Sequence, residues 1–336
     1  MEKRAYVGIG VDFKKIYKHM IWNNENEYVL CDNNLAGSEF MGNKIISVEE
    51  AINKYPEYNY FISTSKYKYE IISQLIGLGV DRDRIFFAAP FLCNKDKVQM
   101  RVGEKGGIEI EINGIKALLK NNADEMVFRE IFIDECYNIS FPCDSVLIDI
   151  GMNVGYASLF FASNSKIKEI FGYEPFEKCY EEANENIAMN SVNIQNKIKT
   201  NNYALTNKDR KDVYYLHPIT GVMKEESKDG ISSKVEIECK DAAGELGKII
   251  DNNFGKNKII IKCDCEGGEY EIFPRLEETG LIRKVDAIIM EWHLGRRKDV
   301  EEFLERNGFI CTIRTTGPQD EFGPSFAVNM NSMCRE

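Results

Sequence analysis

The stretch from Val146 to Ala162 constrains this chain more than any other. Val146-Leu147-Ile148-Asp149-Ile150 is an apolar run carrying one acid near its end. A turn of small residues follows, Gly151-Met152-Asn153-Val154-Gly155, and then Tyr156-Ala157-Ser158-Leu159-Phe160-Phe161-Ala162. The short apolar run bounded by glycines reads as a buried strand, and the segment after it as a helix. Strand, tight turn and helix in that order build open α/β sheets. The turn brings backbone N–H groups and a helix N-terminus to one point at the carboxyl edge of the sheet. A nucleotide-like ligand is expected there.

The rest of the chain alternates in the same way. Tyr6 to Phe13 is a strand leading into Gly8-Ile9-Gly10, and a helix follows with apolar Phe13, Ile16, Tyr17, Met20 and Ile21. Tyr28 to Asp32 is a second strand, and Asp32 stands about twenty residues past the turn, where a dinucleotide fingerprint has its ribose acid. The third glycine of that fingerprint is missing, because Phe13 stands in its place. A structural turn is therefore the preferred reading. Ser47 with Glu50 makes a capping box, Tyr58–Ser63 is a strand, Lys68–Leu78 a helix stopped by Gly79, and Ile85–Phe87 a closing strand. These elements predict a small parallel α/β domain over residues 1–95. It resembles the small Rossmann-like modules appended to bacterial sugar-modifying enzymes. Residues 96–123 read as a hairpin bridge turning at Asn113-Gly114. Residues 124–336 read as a second α/β domain, opened by a helix from Asp124 to Tyr137. It includes a hairpin insertion with a polar loop around Gly221 and Gly230, and late antiparallel strands.

Composition narrows the function. With 336 residues and 43% hydrophobic content the chain can bury two cores. A net charge of −11 disfavours a nucleic-acid backbone as partner. The ten cysteines contain no CxxC pair, which suits reduced, buried thiols in a cytoplasmic protein. Met1 to Val7 lacks the apolar core of a signal peptide, and no run is long enough for a membrane span. The oligomeric state is left open, a homo-oligomer included.

Four strand ends carry polar groups: Asp149; Glu174; Asp264 with Glu266; and Glu291 with His293. In a parallel sheet these line one crevice. Carboxylates there would repel a pyrophosphate but suit a cationic ligand. S-adenosylmethionine (SAM) has a sulfonium and an ammonium group and no phosphate, so SAM fits better than a dinucleotide. Glu174 is placed to accept from both ribose hydroxyls, and Asn153 tolerates a left-handed turn position. Asn202 or Tyr203-Ala204 is expected near the adenine. No ligand set for a metal stands out, although these acids could instead bind Mg²⁺.

The blocks Asp149-Ile-Gly151-Met152-Asn153-Val-Gly155-Tyr156, Tyr173-Glu174-Pro175, Lys262-Cys263-Asp264-Cys265-Glu266-Gly267-Gly268-Glu269 and Glu291-Trp292-His293 resemble the FkbM-type SAM-dependent methyltransferases. That resemblance covers about residues 124–330. Met152, Cys263, Cys265 and Gly268 depart from the family pattern while keeping small or apolar character. The resemblance implies a class I (Rossmann-like) methyltransferase domain preceded by the smaller domain. It implies SAM as cofactor and methyl transfer to a hydroxyl of a small-molecule or saccharide acceptor. Asp149, Gly151, Met152, Asn153, Gly155, Tyr156, Glu174, Pro175, Asn202, Ala204 and Asp264 are the expected cofactor residues.

A hydroxyl needs its proton removed to attack well, so a base is expected among Asp264, Glu266 and His293. His293 is taken as neutral near pH 7, with one free ring nitrogen. Two other readings compete. One is a degenerate methyltransferase fold that binds or scaffolds without turnover. The other is a nicotinamide-dependent oxidoreductase using the Gly8 turn.

Overall fold

A computed structural model describes residues 3–20, 27–88, 98–104, 106–140, 142–216, 223–224, 233–315 and 321–332. The chain divides into two compact units, Met1–Glu135 and Cys136–Glu336.

In the first unit, Lys3–Val7 lies at the centre of a sheet, between Glu27–Cys31 and Asn59–Ile62. Asn43–Ile46 and Ile85–Phe87 extend that sheet in parallel, and Glu39–Phe40 closes one edge antiparallel. The expected capping box forms at Ser47, whose hydroxyl accepts from Glu50 N–H at 3.1 Å. The bridge is a three-stranded antiparallel sheet rather than a lone hairpin: Val98–Val102 pairs with Ile108–Ile112, which pairs with Ile115–Leu119. Asn113 and Gly114 have φ of 52° and 79°. These are the left-handed positions a two-residue hairpin turn demands.

Both the bridge and the next helix group with the first unit, so the boundary falls at residue 135 and not at 123. A buried charge ties the helix to this unit. Lys68 is 2% exposed and pairs with Glu125 at 2.7 Å, while Asn122 accepts from the same ammonium at 2.8 Å. Removing that helix would strand the lysine. The helix runs Asn122–Phe132, capped by Asn121, and is shorter than the expected span to Tyr137.

The second unit holds a seven-stranded main sheet. Its strands in chain order are β1 (Ser145–Ile150), β2 (Ile167–Tyr173), β3 (Ile198–Asn201), β4 (Lys258–Cys263), β5 (Ala287–Trp292), β6 (Phe309–Ile313) and β7 (Gly323–Asn329). Their spatial order is 3-2-1-4-5-7-6, and β7 alone runs antiparallel to its neighbours. Ile148, Ile150, Ile261, Cys263, Ile288, Met290 and Trp292 share one core with Leu246, Ile272, Phe273 and Phe303 from three helices. The alternate residues Leu147, Ile260 and Ile289 are buried as well. A sheet covered on both faces explains why these strands are continuous apolar runs. The alternation also puts Asp149, Lys262 and Glu291 on the side opposite that core.

The expected insertion is present: Arg210–Leu216 pairs antiparallel with Ser233–Asp241. Its loop at Gly221 and Gly230 lies outside the described residues. The cysteines among the described residues are free, but Cys136 and Cys143 are exposed, contrary to the expectation of burial. Cys93 and Cys334 lie outside the described residues. No helix among the described residues is long and apolar enough to cross a membrane.

Candidate active site

The turn after β1 is built to lie against the end of β4. Gly151 has φ of +76°, and a Cβ there would stand 1.7 Å from the Asp264 carbonyl oxygen. Only glycine fits. Asp264 N–H in turn donates to the Ile150 carbonyl at 3.0 Å. Asn153 takes the expected left-handed conformation at φ 51°. Gly155 begins the Tyr156–Ala162 helix, and its missing Cβ lets the backbone approach Ala183 on the Glu177–Ala188 helix. Met152 and Tyr156 are buried, with the Met152 sulfur filling the space above Gly172.

Glu174 stands at the end of β2 and is 5% exposed. One carboxylate oxygen accepts from Asn153 N–H at 2.9 Å and the other from Phe176 N–H at 3.0 Å. Burial pushes its carboxyl up to about 7, against the pull of those two N–H donors and of Lys262. Each oxygen keeps one acceptor position. Pro175 is half-buried beside it, and Asn202 donates to the Glu174 carbonyl at 2.9 Å. Ala204 opens the short strand Ala204–Thr206 just beyond β3.

Asp149 does not face the crevice as a free acid. Its side chain is fully buried, accepts from Ser158 Oγ at 2.6 Å and pairs with Lys262 Nζ at 3.0 Å. Lys262 also donates to the Gly151 carbonyl at 2.7 Å, so it ties β1, its turn and β4 together. Burial works against its charge, but the surrounding acids, Asp149 first, outweigh that and hold it protonated. The expectation that Asp149 meets a cationic ligand is corrected: its charge is neutralised inside the protein.

His293 is corrected too. It is 8% exposed, and its Nδ1 and backbone N–H both lie against Glu269 Oε1, at 3.1 and 3.0 Å. Its Nε2 lies 3.8 Å from both Asp264 Oδ1 and Glu266 Oε2. Burial alone would lower its pKa. The hydrogen bond and charge of Glu269, with the charges of Glu266 and Asp264, outweigh burial and raise it to about 9. At pH 7 the ring is an imidazolium and not a ready base. Burial also raises the Glu266 carboxyl.

Glu266 and Leu294 have φ of 56° and 62°. Non-glycine residues are uncommon in that region and gather at functional sites. Lys262 and Glu269 were quoted in the sequence motif without a site role. Their importance comes from burial, which no spacing rule reports. Tyr137 was also missed, having been assigned to the end of the preceding helix. It stacks on Phe161 at 5.8 Å, and its hydroxyl pKa is raised by burial and by the nearby Asp264 carboxylate.

A sheet ordered 3-2-1-4-5-7-6 with a reversed seventh strand, a glycine turn after its first strand and an acid after its second defines a class I methyltransferase domain. The sequence comparison agrees and is more specific. Residues 149–311 match the family model of the methyltransferase FkbM domain. The chain is 25% identical to Methyltransferase sdnD of Sordaria araneosa over 229 residues, 59% of this chain and 87% of that protein. It is 24% identical to Methyltransferase 1 of Beauveria bassiana over 214 residues, 56% of this chain and 82% of that one. It also matches the AMB antimetabolite synthetase AmbE of Pseudomonas aeruginosa at 22% identity, over 70% of this chain but only 13% of the synthetase. Among solved structures, precorrin-6y C5,15-methyltransferase of Geobacter metallireducens aligns with 63% of this chain and 89% of its own at 13% identity, with a TM-score of 0.34.

Proposed function

We propose that the second unit binds SAM and transfers its methyl group to a hydroxyl of a small-molecule or saccharide acceptor. The observation that carries this is the convergence of the Gly151 turn, Glu174 and the Asp264–Glu266–His293 group at adjacent parallel strand ends. The residues fit the cofactor. Gly151 lets the turn lie directly against the end of β4, and the acids of the β4 and β5 ends suit a cation. When bound, SAM supplies a methyl group on a positively charged sulfur.

The roles divide by position. The turn residues Gly151, Met152, Asn153, Gly155 and Tyr156 shape the floor. Glu174, with Pro175 behind it, accepts the ribose hydroxyls, and Asn202 and Ala204 flank the adenine. Asp149 contributes from below by holding Lys262 and hence the turn. Asp264, Glu266 and His293 face the acceptor.

Glu266 is the better base in the free protein, since burial has raised its affinity for a proton towards the useful range. His293 takes up a proton only after losing its own, which a nearby sulfonium favours. Alignment of the acceptor oxygen accounts for much of the rate, as in any in-line displacement.

Thermal shift with SAM, S-adenosylhomocysteine, NAD and NADP tests the reading, because only a ligand that prefers the folded state stabilises it. Stabilisation by the first two alone is the expected outcome. A response to NAD alone would overturn it.

A further inference from the structure

The ends of β4 and β5 bring together one more grouping. Asp264 follows β4 directly, and Cys263 is in register with Met290 of the adjacent β5. Glu291 on β5 and His293 just after it therefore stand beside Asp264. One donor atom from each of Asp264, Glu291 and His293 lies within 4.8 Å of the other two. The sequence places these residues at one sheet edge and allows Mg²⁺ among its acids without singling out a ligand set, and the register is what unites these three.

Beyond the spacing of the three donors, the setting of the imidazole points to a ligand here. Glu269 is 2% exposed and holds both Nδ1 and the backbone N–H of His293, so the ring cannot turn freely. Its Nε2 is directed at Asp264 and Glu266, yet at 3.8 Å it is too far from either to hydrogen bond. A carboxylate fixing one ring nitrogen while the other points at oxygen donors is the usual arrangement around a metal-binding histidine. Donor atoms that share an ion at about 2.1 Å stand roughly 3 to 4 Å apart, so this spacing fits ligands around a small cation better than partners of each other.

We propose that Asp264, Glu291 and His293 form a binding site for one divalent cation. Two carboxylates and one imidazole suit a cation of the Mn²⁺ or Mg²⁺ kind, with the nitrogen favouring Mn²⁺; the cation takes the place of the Nε2 proton, which is released to solvent on binding. The three protein donors leave coordination positions open. On the methyl-transfer reading, on which this role rests, those positions receive the oxygen atoms of the acceptor. The acceptor class then narrows to molecules with two adjacent oxygens, such as a vicinal diol of a saccharide or a hydroxy acid.

Mn²⁺ is the probe. Electron paramagnetic resonance titration of the full chain is expected to show one site per chain. Asp264→Asn and Glu291→Gln should each weaken it about tenfold or more, and Glu269→Gln should weaken it by less. Electron spin-echo modulation of the bound Mn²⁺ should show one directly coordinated imidazole nitrogen, lost in His293→Gln. That spectrum is read on the wild-type protein, so the site stays testable even where a variant fails to fold. No Mn²⁺ binding, binding unaffected by Asp264→Asn and Glu291→Gln, or an echo spectrum without nitrogen coupling overturns the proposal. SAM is titrated in parallel with a chelator present. SAM binding without Mn²⁺ binding removes the metal site and leaves the methyltransferase reading. Mn²⁺ binding without SAM binding leaves the metal site and removes that reading.

Discussion

The two units each contain a strand, a glycine turn, a helix and an acid one strand further on, and they use these parts differently. In the first, Gly8 leads into the turn and Ile9 N–H donates to Asp32 at 3.0 Å. In the second, Asn153 N–H donates to Glu174 at 2.9 Å. There the likeness ends. Asp32 also accepts from the N–H groups of Asn34 and Leu35, so three backbone donors occupy its carboxylate. The adjacent strand end offers Ser63, which donates back to the carbonyls of Val7 and Gly8, and Ser65, which donates to Asp12. These groups are largely spent on holding the turn. In the second unit the adjacent strand end instead offers Asp264, Glu266 and His293. A turn of this shape becomes a site only when its neighbours keep unspent chemistry. On this ground the nicotinamide reading of the Gly8 turn is weakened, since Asp32 keeps one acceptor position where Glu174 keeps two.

Mutating equivalent parts of the two turns should break this contrast if it is wrong. Gly151→Ala is expected to have the largest effect. Its Cβ would meet backbone at 1.7 Å, and a loss of more than ~4 kcal/mol in urea unfolding is expected, with SAM binding abolished. Gly8→Ala meets the Thr64 side chain at 2.7 Å. It should cost about 1–2 kcal/mol and leave SAM affinity unchanged. Equal effects on SAM affinity would end the distinction.

Lys262→Met comes next. It leaves the fully buried Asp149 without its cation. Breaking such a pair costs about 3–5 kcal/mol, which would be read as a fall in the denaturant midpoint. Adding Asp149→Leu should restore part of that loss, since a stranded charge and not the missing pair is the cause.

A pair of amide substitutions compares the two acids. Glu174→Gln should weaken SAM about ten- to a hundredfold in calorimetry, by removing an ionised acceptor. Asp32→Asn should leave SAM affinity where it was.

The smallest effect is a pH dependence. Burial raises Glu174 from 4.5 to about 7. In that interval the folded chain binds a proton that the unfolded chain has released. The group therefore adds stability that is fully present below pH 4.5 and lost as the pH rises through about 7. SAM affinity runs the other way, because the ionised carboxylate is the better acceptor. It should rise about tenfold between roughly pH 6 and 8 and be flat in Glu174→Gln. A rise that persists in that variant would assign the titration to another group.

Much of this molecule was legible before any coordinates. Short apolar runs bounded by glycine and acid are buried strands, and their alternation with helices specifies a parallel sheet whose polar ends share an edge. Residues 149 to 155 showed the turn, Asn113-Gly114 the hairpin and Ser47 with Glu50 the cap, because each is decided by neighbours close in the chain. The acids at 174, 264 and 266 were likewise found by their position after an apolar run.

The sequence by itself thus determined where the polar strand ends lie and which acids stand at them. Only the tertiary structure decided what each of those side chains is free to do. Asp149 and Asp264 look alike in the chain, yet Asp149 is neutralised by Lys262 from two strand positions before Asp264. His293 reads as an ordinary neutral imidazole until Glu269 is seen beneath it. The helix at 122–132 reads as the start of the second domain until Lys68 is found needing Glu125. In each case the deciding term is the energy of a charge removed from water. That energy depends on burial and on partners that are distant in sequence.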